Sequence, residues 1–474
     1  MRLEKDCIGE ELVPDNALYG IHSLRAARNF PITRERVNPL IIASYLQIKK
    51  AAAIANQQAG TLDSNKALLI IAACNQLLLS KDFESVIVPA IQGGAGTSTN
   101  MNINEIVANL AMKLGRQKGK LTVKIHPNDD VNQCQSTNDT YPTAGKIAML
   151  KDLAPLEDAV NSLIHVLEEK AHQYQSTVKV GRTQLQDAVP TTFGRSFSAS
   201  AAMFKRDLQK MKAIEKTLAT VNLGGTAIGT GINSTRDYQR AVMPLLNRIT
   251  GLSLTQADDL IEATQNSDAF STFSGILKGL ALNLTKFCND LRLLSSGPQA
   301  GLAELSLPKV QAGSSIMPGK INPVIPEVVN QVAFEVIGKD VTVTLAVENG
   351  QLELNAFEPI IFKEVLTSES HLTAAIKTLV KNCLRGIQVN VNHCQNEVDQ
   401  SAIAATILSP YLGYEKTTAL IKEAERVQIP VKTLVKQKQL LASTLIDNLF
   451  SPEVLTNQNQ ADLQKLKSLA GHSH

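Results

Sequence analysis

Gly313-Ser314-Ser315-Ile316-Met317-Pro318-Gly319-Lys320-Ile321-Asn322-Pro323 is the stretch on which the reading of this chain turns. It has the outline of a nucleotide-binding loop and fails the test for one. Five residues, not four, separate Gly313 from Gly319-Lys320, and Ile321 stands where a Ser or Thr would hold Mg²⁺. A Gly-flanked Ser-Ser pair with a lysine six residues on reads instead as a mobile loop that carries a base or a nucleophile. A free serine is a weak base and needs nearby positive charge or oriented N–H donors to act as one. Lys320 is suited to clamp a carboxylate.

Three further polar segments interrupt the chain upstream: Gly93-Gly94-Ala95-Gly96-Thr97-Ser98-Thr99-Asn100-Met101-Asn102, Gln135-Ser136-Thr137-Asn138-Asp139 and Gly181-Arg182-Thr183-Gln184-Leu185-Gln186-Asp187. The first lacks the third glycine of a dinucleotide fingerprint. Ser, Thr, Asn and Gln at helix starts satisfy unpaired N–H groups, so capping explains any one segment. Four segments with the same uncharged donor chemistry point further, to a site that holds an anion by many hydrogen bonds and helix N-termini.

The rest of the chain is helical in pattern. Apolar residues recur at three- and four-residue spacing over Leu40–Ala59 and Leu62–Leu79, and a helix is expected near Asn104–Leu114 within the loop-rich region 82–142. Long helices are expected at about 143–175, 192–221, 264–297, 324–349 and 357–388. Ala and Leu dominate these stretches, few Gly or Pro interrupt them, and small side chains permit close helix packing. Beyond residue 390 the periods shorten, which suggests a small C-terminal helical domain with a fraying polar tail after Pro452. No repeat of 20–50 residues is visible.

The 474 residues are too many for one core. With 44% hydrophobic and 19% charged residues the chain is globular. Aromatics are only 4% and Trp is absent, which argues against base stacking and aromatic-rich β architectures. Lys and Arg number 47 against 44 Asp and Glu, a net charge of +3, which gives no global field for nucleic acid or anionic membrane. No run approaches the ~18 apolar residues of a membrane span, and the N-terminus has no apolar signal core. Six scattered cysteines without CxxC spacing read as reduced thiols, so the expected location is the cytoplasm.

The 313–323 stretch resembles the GSSxMPxKxNP signature of the fumarase/aspartase superfamily, and the other three segments are similar to its remaining active-site regions in the same order. The resemblance runs from about Tyr19-Gly20 to Gly413-Tyr414. It implies a mainly α, three-domain fold: a mostly helical N-terminal domain (1–138), a central long-helix bundle (139–389) and a small C-terminal helical domain (390–474). The central bundle would form a twenty-helix core in a homotetramer whose active sites are each shared by three subunits. Within the superfamily, Ser136-Thr137-Asn138-Asp139, Tyr19–Ala26, Gln311-Ala312 and Asp258–Thr264 look more like aspartases than fumarases, and Gln184 stands where fumarases carry His.

The implied reaction is reversible deamination of L-aspartate to fumarate and ammonia, by removal of a Cβ proton through an aci-carboxylate. By resemblance, Ser314 is the general base and Lys320 and Asn322 bind the α-carboxylate with Thr183. Thr97, Ser136, Thr137 and Ser315 bind the β-carboxylate; Asn138 and Gln184 meet the amino group. Alternatives are a class II fumarate hydratase, a related lyase for a modified amino acid, and a non-catalytic structural member of the superfamily. No cofactor is required; Mg²⁺ activation is implied only by resemblance, and no metal site is assigned. Arg182 and Asp187 read as ion-pair formers, His126 as a turn residue, Cys134 as buried packing, and Glu327 equally as a site residue or a carboxylate facing a helix dipole.

Overall fold

The long periodic stretches are helices in the computed structural model, which describes residues 1–117, 119 and 123–456. Of the expected fraying tail after Pro452, the first residues do not fray but complete a short helix, Pro452–Leu455, and those from 457 on lie outside the described residues. An antiparallel pair, β1 (Arg2–Lys5) and β2 (Glu10–Val13), precedes α1 (Ile21–Asn29), α2 (Pro39–Gln58), α3 (Ser64–Ser80) and α4 (Thr97–Gln117). Then come α5 (Thr137–Gln173), the hairpin of β3 (Val178–Thr183) and β4 (Gln186–Thr192), α6 (Phe193–Ala219), β5 (Thr220–Val221), α7 (Arg236–Thr250), β6 (Thr255–Gln256) and α8 (Leu260–Gln265). The chain continues through α9 (Asp268–Leu294), β7 (Leu305–Ser306), α10 (Val324–Glu348), α11 (Glu358–Asn382), β8 (Gln388–Val389) and α12 (Val391–Gln400). Short helices from Ser409 to Leu455 follow.

Local chemistry sets many of these boundaries. Asn38 accepts from the Leu40 N–H at 2.8 Å and Pro39 occupies the first helical position of α2. Asp63 caps α3 through the N–H groups of Asn65 and Lys66. The 37-residue α5 runs through Pro142, which cannot donate to the carbonyl four residues back. That carbonyl, of Asn138, accepts instead from the Asn222 side chain at 2.9 Å, so the helix continues past the proline.

The chain divides into two compact units, and each of the five long helices contributes residues to both. Unit 1 comprises 1–158, 207–282 and 332–374; unit 2 comprises 159–206, 283–331 and 375–474. This partition follows contacts and cuts the long helices, whereas the expected boundaries at 138 and 389 follow chain segments. In unit 1, α2 packs on α3 and α7, and α3 on α4. Three of its aromatics meet: Tyr141 lies tilted and Phe270 edge-on against Phe362, each with ring centroids 4.9 Å apart. Gly96 lies against Tyr141, where a Cβ would come within 2.3 Å of the ring, and its φ of +87° also calls for glycine. In unit 2, α12 packs on β3, and a separate apolar cluster around Leu408, Val435, Ile446 and Leu449 holds the C-terminal helices.

Two expectations about the polar segments are corrected. The helix expected at Asn104 begins at Thr97, because buried Gln92 accepts from both the N–H and the hydroxyl of Thr99 and so accommodates a polar first turn. The Gly181–Asp187 segment is the turn of a β-hairpin and caps no helix. Two helices, α1 and α7, have no counterpart in the periodicity reading; both are short and amphipathic.

Candidate active site

Four of the sequence-derived site residues lie in unit 1: Thr97, Ser136, Thr137 and Asn138. Ser136 caps α5. Its Oγ accepts from the Asn138 N–H at 3.2 Å, while the Asp139 carboxylate accepts from the Ser136 N–H at 2.9 Å, a reciprocal capping arrangement. The Thr137 hydroxyl accepts from Asn100 at 3.0 Å, and the Asn138 amide donates to the Ala227 carbonyl at 2.6 Å. Thr97 opens α4 and lines an open cavity of about 810 Å³ with Gly93, Gly94, His22, His126 and Asn128. The structure thus gathers hydroxyl and amide donors at the N-terminal ends of two helices, where the backbone dipole favours an anion.

Two buried groups of opposite charge, Lys49 and Asp139, lie here, and periodicity does not reveal them. The Lys49 ammonium is fully buried and donates to Asn132 at 2.8 Å and Gln135 at 3.0 Å. Burial pulls its pKa down to about 7, against the opposing pull of the Asp139 charge. Burial pushes the Asp139 carboxyl up to about 6, opposed by backbone N–H groups of Ser136, Gly224 and Thr226 and by the Lys49 charge. Lys49 lies in the middle of α2, within the helical stretch expected over Leu40–Ala59.

The other six residues lie in unit 2: Thr183, Gln184, Ser314, Ser315, Lys320 and Asn322. The 313–323 loop closes on itself. The Gly313 N–H donates to the Lys320 carbonyl and the Asn322 amide donates to the Gly313 carbonyl, both at 2.8 Å. A Cβ on Gly313 would fall 2.5 Å from that Lys320 oxygen, so only glycine fits. Ser314 Oγ accepts from the N–H groups of Ile316 at 3.2 Å and Met317 at 2.9 Å. These are oriented donors of the kind a serine needs to carry negative charge. Ser315 and Lys320 are exposed, and Glu327 lies in the first turn of α10.

Thr183 and Gln184 occupy the tip of the β3–β4 hairpin. Thr183 pairs with Gln186, leaving the two-residue turn Gln184-Leu185, with φ of +52° and +62°. A type I′ turn has this left-handed pair and normally uses Asn-Gly. Gln-Leu carries strain there, and its side chains stand exposed at the tip.

The chain matches a family model described as lyase over residues 9–338, and one described as the fumarase C C-terminus over 405–457. It is 47% identical over 456 residues to an aspartate ammonia-lyase of Helicobacter pylori, covering 96% of this chain and 97% of that one. The Escherichia coli aspartate ammonia-lyase is 44% identical, with 96% of each chain covered. The chain belongs to the fumarase/aspartase superfamily of lyases. Solved structures agree. A Brucella melitensis fumarate lyase bound to cobalt superposes with a TM-score of 0.92 at 43% identity, covering 96% of this chain and 99% of that one. A class II fumarase from Schistosoma mansoni gives 0.91 at 31% identity, covering 97% and 100%.

Several other residues singled out in the sequence have structural explanations. His126 caps a one-turn π-helix, Pro127–Val131, accepting from the N–H groups of Asn128 and Asp129; the turn reading fits. Cys134, expected to be buried packing, is only half-buried and adopts φ of +62°; burial still raises its thiol pKa. Arg182 does form ion pairs. Asp187 is its loosest partner, at 3.9 Å; the buried carboxylate of Glu304 and, at 3.6 Å, Glu397 complete the set. Burial would lower the Arg182 pKa, but Glu304, Glu397 and Asp187 outweigh it and raise it.

Among the described residues one trio, Glu304, Cys394 and Glu397, brings potential metal-ligand atoms within 4.8 Å of one another. Both Glu304 oxygens are already engaged, by Lys179 at 2.6 Å and by Arg182. Fixed cations therefore stand where a metal would. Glu304 itself went unremarked in the sequence, because Ala303-Glu304-Leu305 carries no motif.

Proposed function

We infer that this lyase is an aspartate ammonia-lyase, converting L-aspartate reversibly to fumarate and ammonia. The observation that carries this reading is identity of 44–47% to curated aspartate ammonia-lyases over nearly the whole chain. The site chemistry accords with it. Removing a proton from Cβ, beside the β-carboxylate, builds an aci-carboxylate with two negative charges, which needs dense, preorganised donors. Thr97, Ser136, Thr137 and Ser315 are assigned to that carboxylate. The Cβ proton passes to Ser314 Oγ, whose two N–H contacts support the charged form. The Cα–N bond then breaks; its electron pair leaves with the protonated amino group (–NH3⁺) as NH3, and the carbanion pair becomes the Cα=Cβ bond. Lys320 and Asn322, with Thr183, hold the α-carboxylate, and Asn138 and Gln184 meet the amino group. Closure of the 313–323 loop excludes water.

The working unit in this reading is a homotetramer built on a twenty-helix core of central domains, with each active site drawn from three subunits. The enzyme works in the cytoplasm; no helix among the described residues is long and apolar enough to cross a membrane. No cofactor takes part in the chemistry, and Mg²⁺ acts at most as an activator. The test is to supply L-aspartate and L-malate separately and follow fumarate by its ultraviolet absorbance, with and without EDTA. Aspartate turnover is expected. Malate turnover without aspartate turnover would make the enzyme a fumarate hydratase.

A further inference from the structure

The hairpin tip that carries Thr183 and Gln184 is poorly secured by its own ladder. The β3–β4 register shifts between Val180 and Arg182: β4 bulges so that Ala188 and Val189 both stand opposite Gly181, where a Cβ would lie 2.4 Å from the Val189 carbonyl oxygen. Beyond the bulge only the pairs Arg182–Asp187 and Thr183–Gln186 remain before the strained turn. A bulge re-aims the residues after it, so something else must fix their direction.

Glu304 supplies that fixed point. Its side chain is fully buried, and its two oxygens take Lys179 before the bulge and Arg182 after it. The carboxylate therefore spans the irregularity with one charged contact on each side. Its own backbone is anchored as well: the Glu304 carbonyl accepts from the Asn390 N–H at 2.9 Å, at the start of α12. From Glu304 the chain runs through β7, paired with β8, towards the 313–323 loop. One side chain thus ties the tip of the hairpin to the segment that leads into the Ser314 loop.

We propose that Glu304 is a positioning residue for the deamination, holding Thr183 and Gln184 in register through its paired contacts with Lys179 and Arg182. The proposal rests on the aspartate ammonia-lyase reading. Glu304 touches no substrate; it acts through the tip. A group that acts only through others loses its effect once they are gone, whereas a general stabiliser keeps it.

The test is a double-mutant cycle on the full-length enzyme, read as kcat/KM for L-aspartate per folded protomer. E304Q in the wild-type background is expected to lower kcat/KM about tenfold, mainly through KM. In a T183V/Q184A background the same substitution is expected to lower it less than about twofold. Equal losses in the two backgrounds, or no loss in either, would overturn the proposal. If E304Q does not fold, R182K, which keeps every charge and removes only the guanidinium fork, is put through the same cycle with the same criteria. A wild-type enzyme inactive on aspartate would instead sink the functional reading, which separates the two failures.

Discussion

At the scale of single residues, the site depends on side chains whose partners are supplied by backbone. Ser314 is the clearest case, since two main-chain N–H groups of its own loop meet its Oγ. Removing that oxygen removes the assigned base but little packing, because the loop is largely exposed. S314A is therefore expected to lose about 10²–10⁴-fold in kcat on aspartate while its melting temperature stays within a degree or so of wild type. Full retention of turnover would remove Ser314 from the mechanism. The serine was legible in the sequence because glycines and a proline frame it. Its two N–H partners were not, since which amides converge on a hydroxyl is a matter of loop conformation.

At the scale of elements, helix termini and one hairpin present the site. The start of α5 rests on Asp139, whose carboxyl accepts from the N–H groups of Ser136 and Gly224, both at 2.9 Å. Burial raises its pKa to about 6, above the ~3.9 of an unfolded Asp, so folding favours the protonated form. The stability this contributes is complete below about pH 4 and is lost as pH rises through about 6. Lys49 runs the opposite way: its pKa is depressed to about 7, so its contribution is lost as pH falls through that value. Comparison with D139N isolates the carboxyl. The advantage of wild type over D139N in thermal unfolding is expected to be largest near pH 4 and to shrink towards pH 7; a difference that is flat or grows over that interval would contradict the assignment. Ser136 and Asp139 were visible as a capping pattern. The β3–β4 hairpin was not, because Gln184-Leu185 lacks the Gly or Asn that normally marks a left-handed turn.

At the scale of the whole molecule, four of the ten assigned site residues fall in unit 1 and six in unit 2. If complete sites draw on several subunits, two inactive variants with lesions in different segments can complement each other. Mixed oligomers of T137V, altered in unit 1, and S314A, altered in unit 2, are expected to recover up to about a quarter of wild-type activity after co-refolding, because some sites receive only intact segments. No recovery in demonstrably mixed oligomers would mean that each site is built within one chain. Close packing shows at individual contacts: Tyr141 and Phe270 meet Phe362, and Gly96 makes room for Tyr141.

Sequence by itself determined the helical class, the long helices and the four polar segments. Each of these is a local property, written in spacing, glycine placement and hydrogen-bonding residue type. Tertiary structure alone decided that Lys49 and Asp139 are buried beneath the α5 terminus. It also decided that Glu304 grips Arg182 and Lys179 across a bulge, and that Gln184 rides a strained turn. These depend on which side chains distant segments bring together and on how much water is excluded around them. No window of sequence records either quantity.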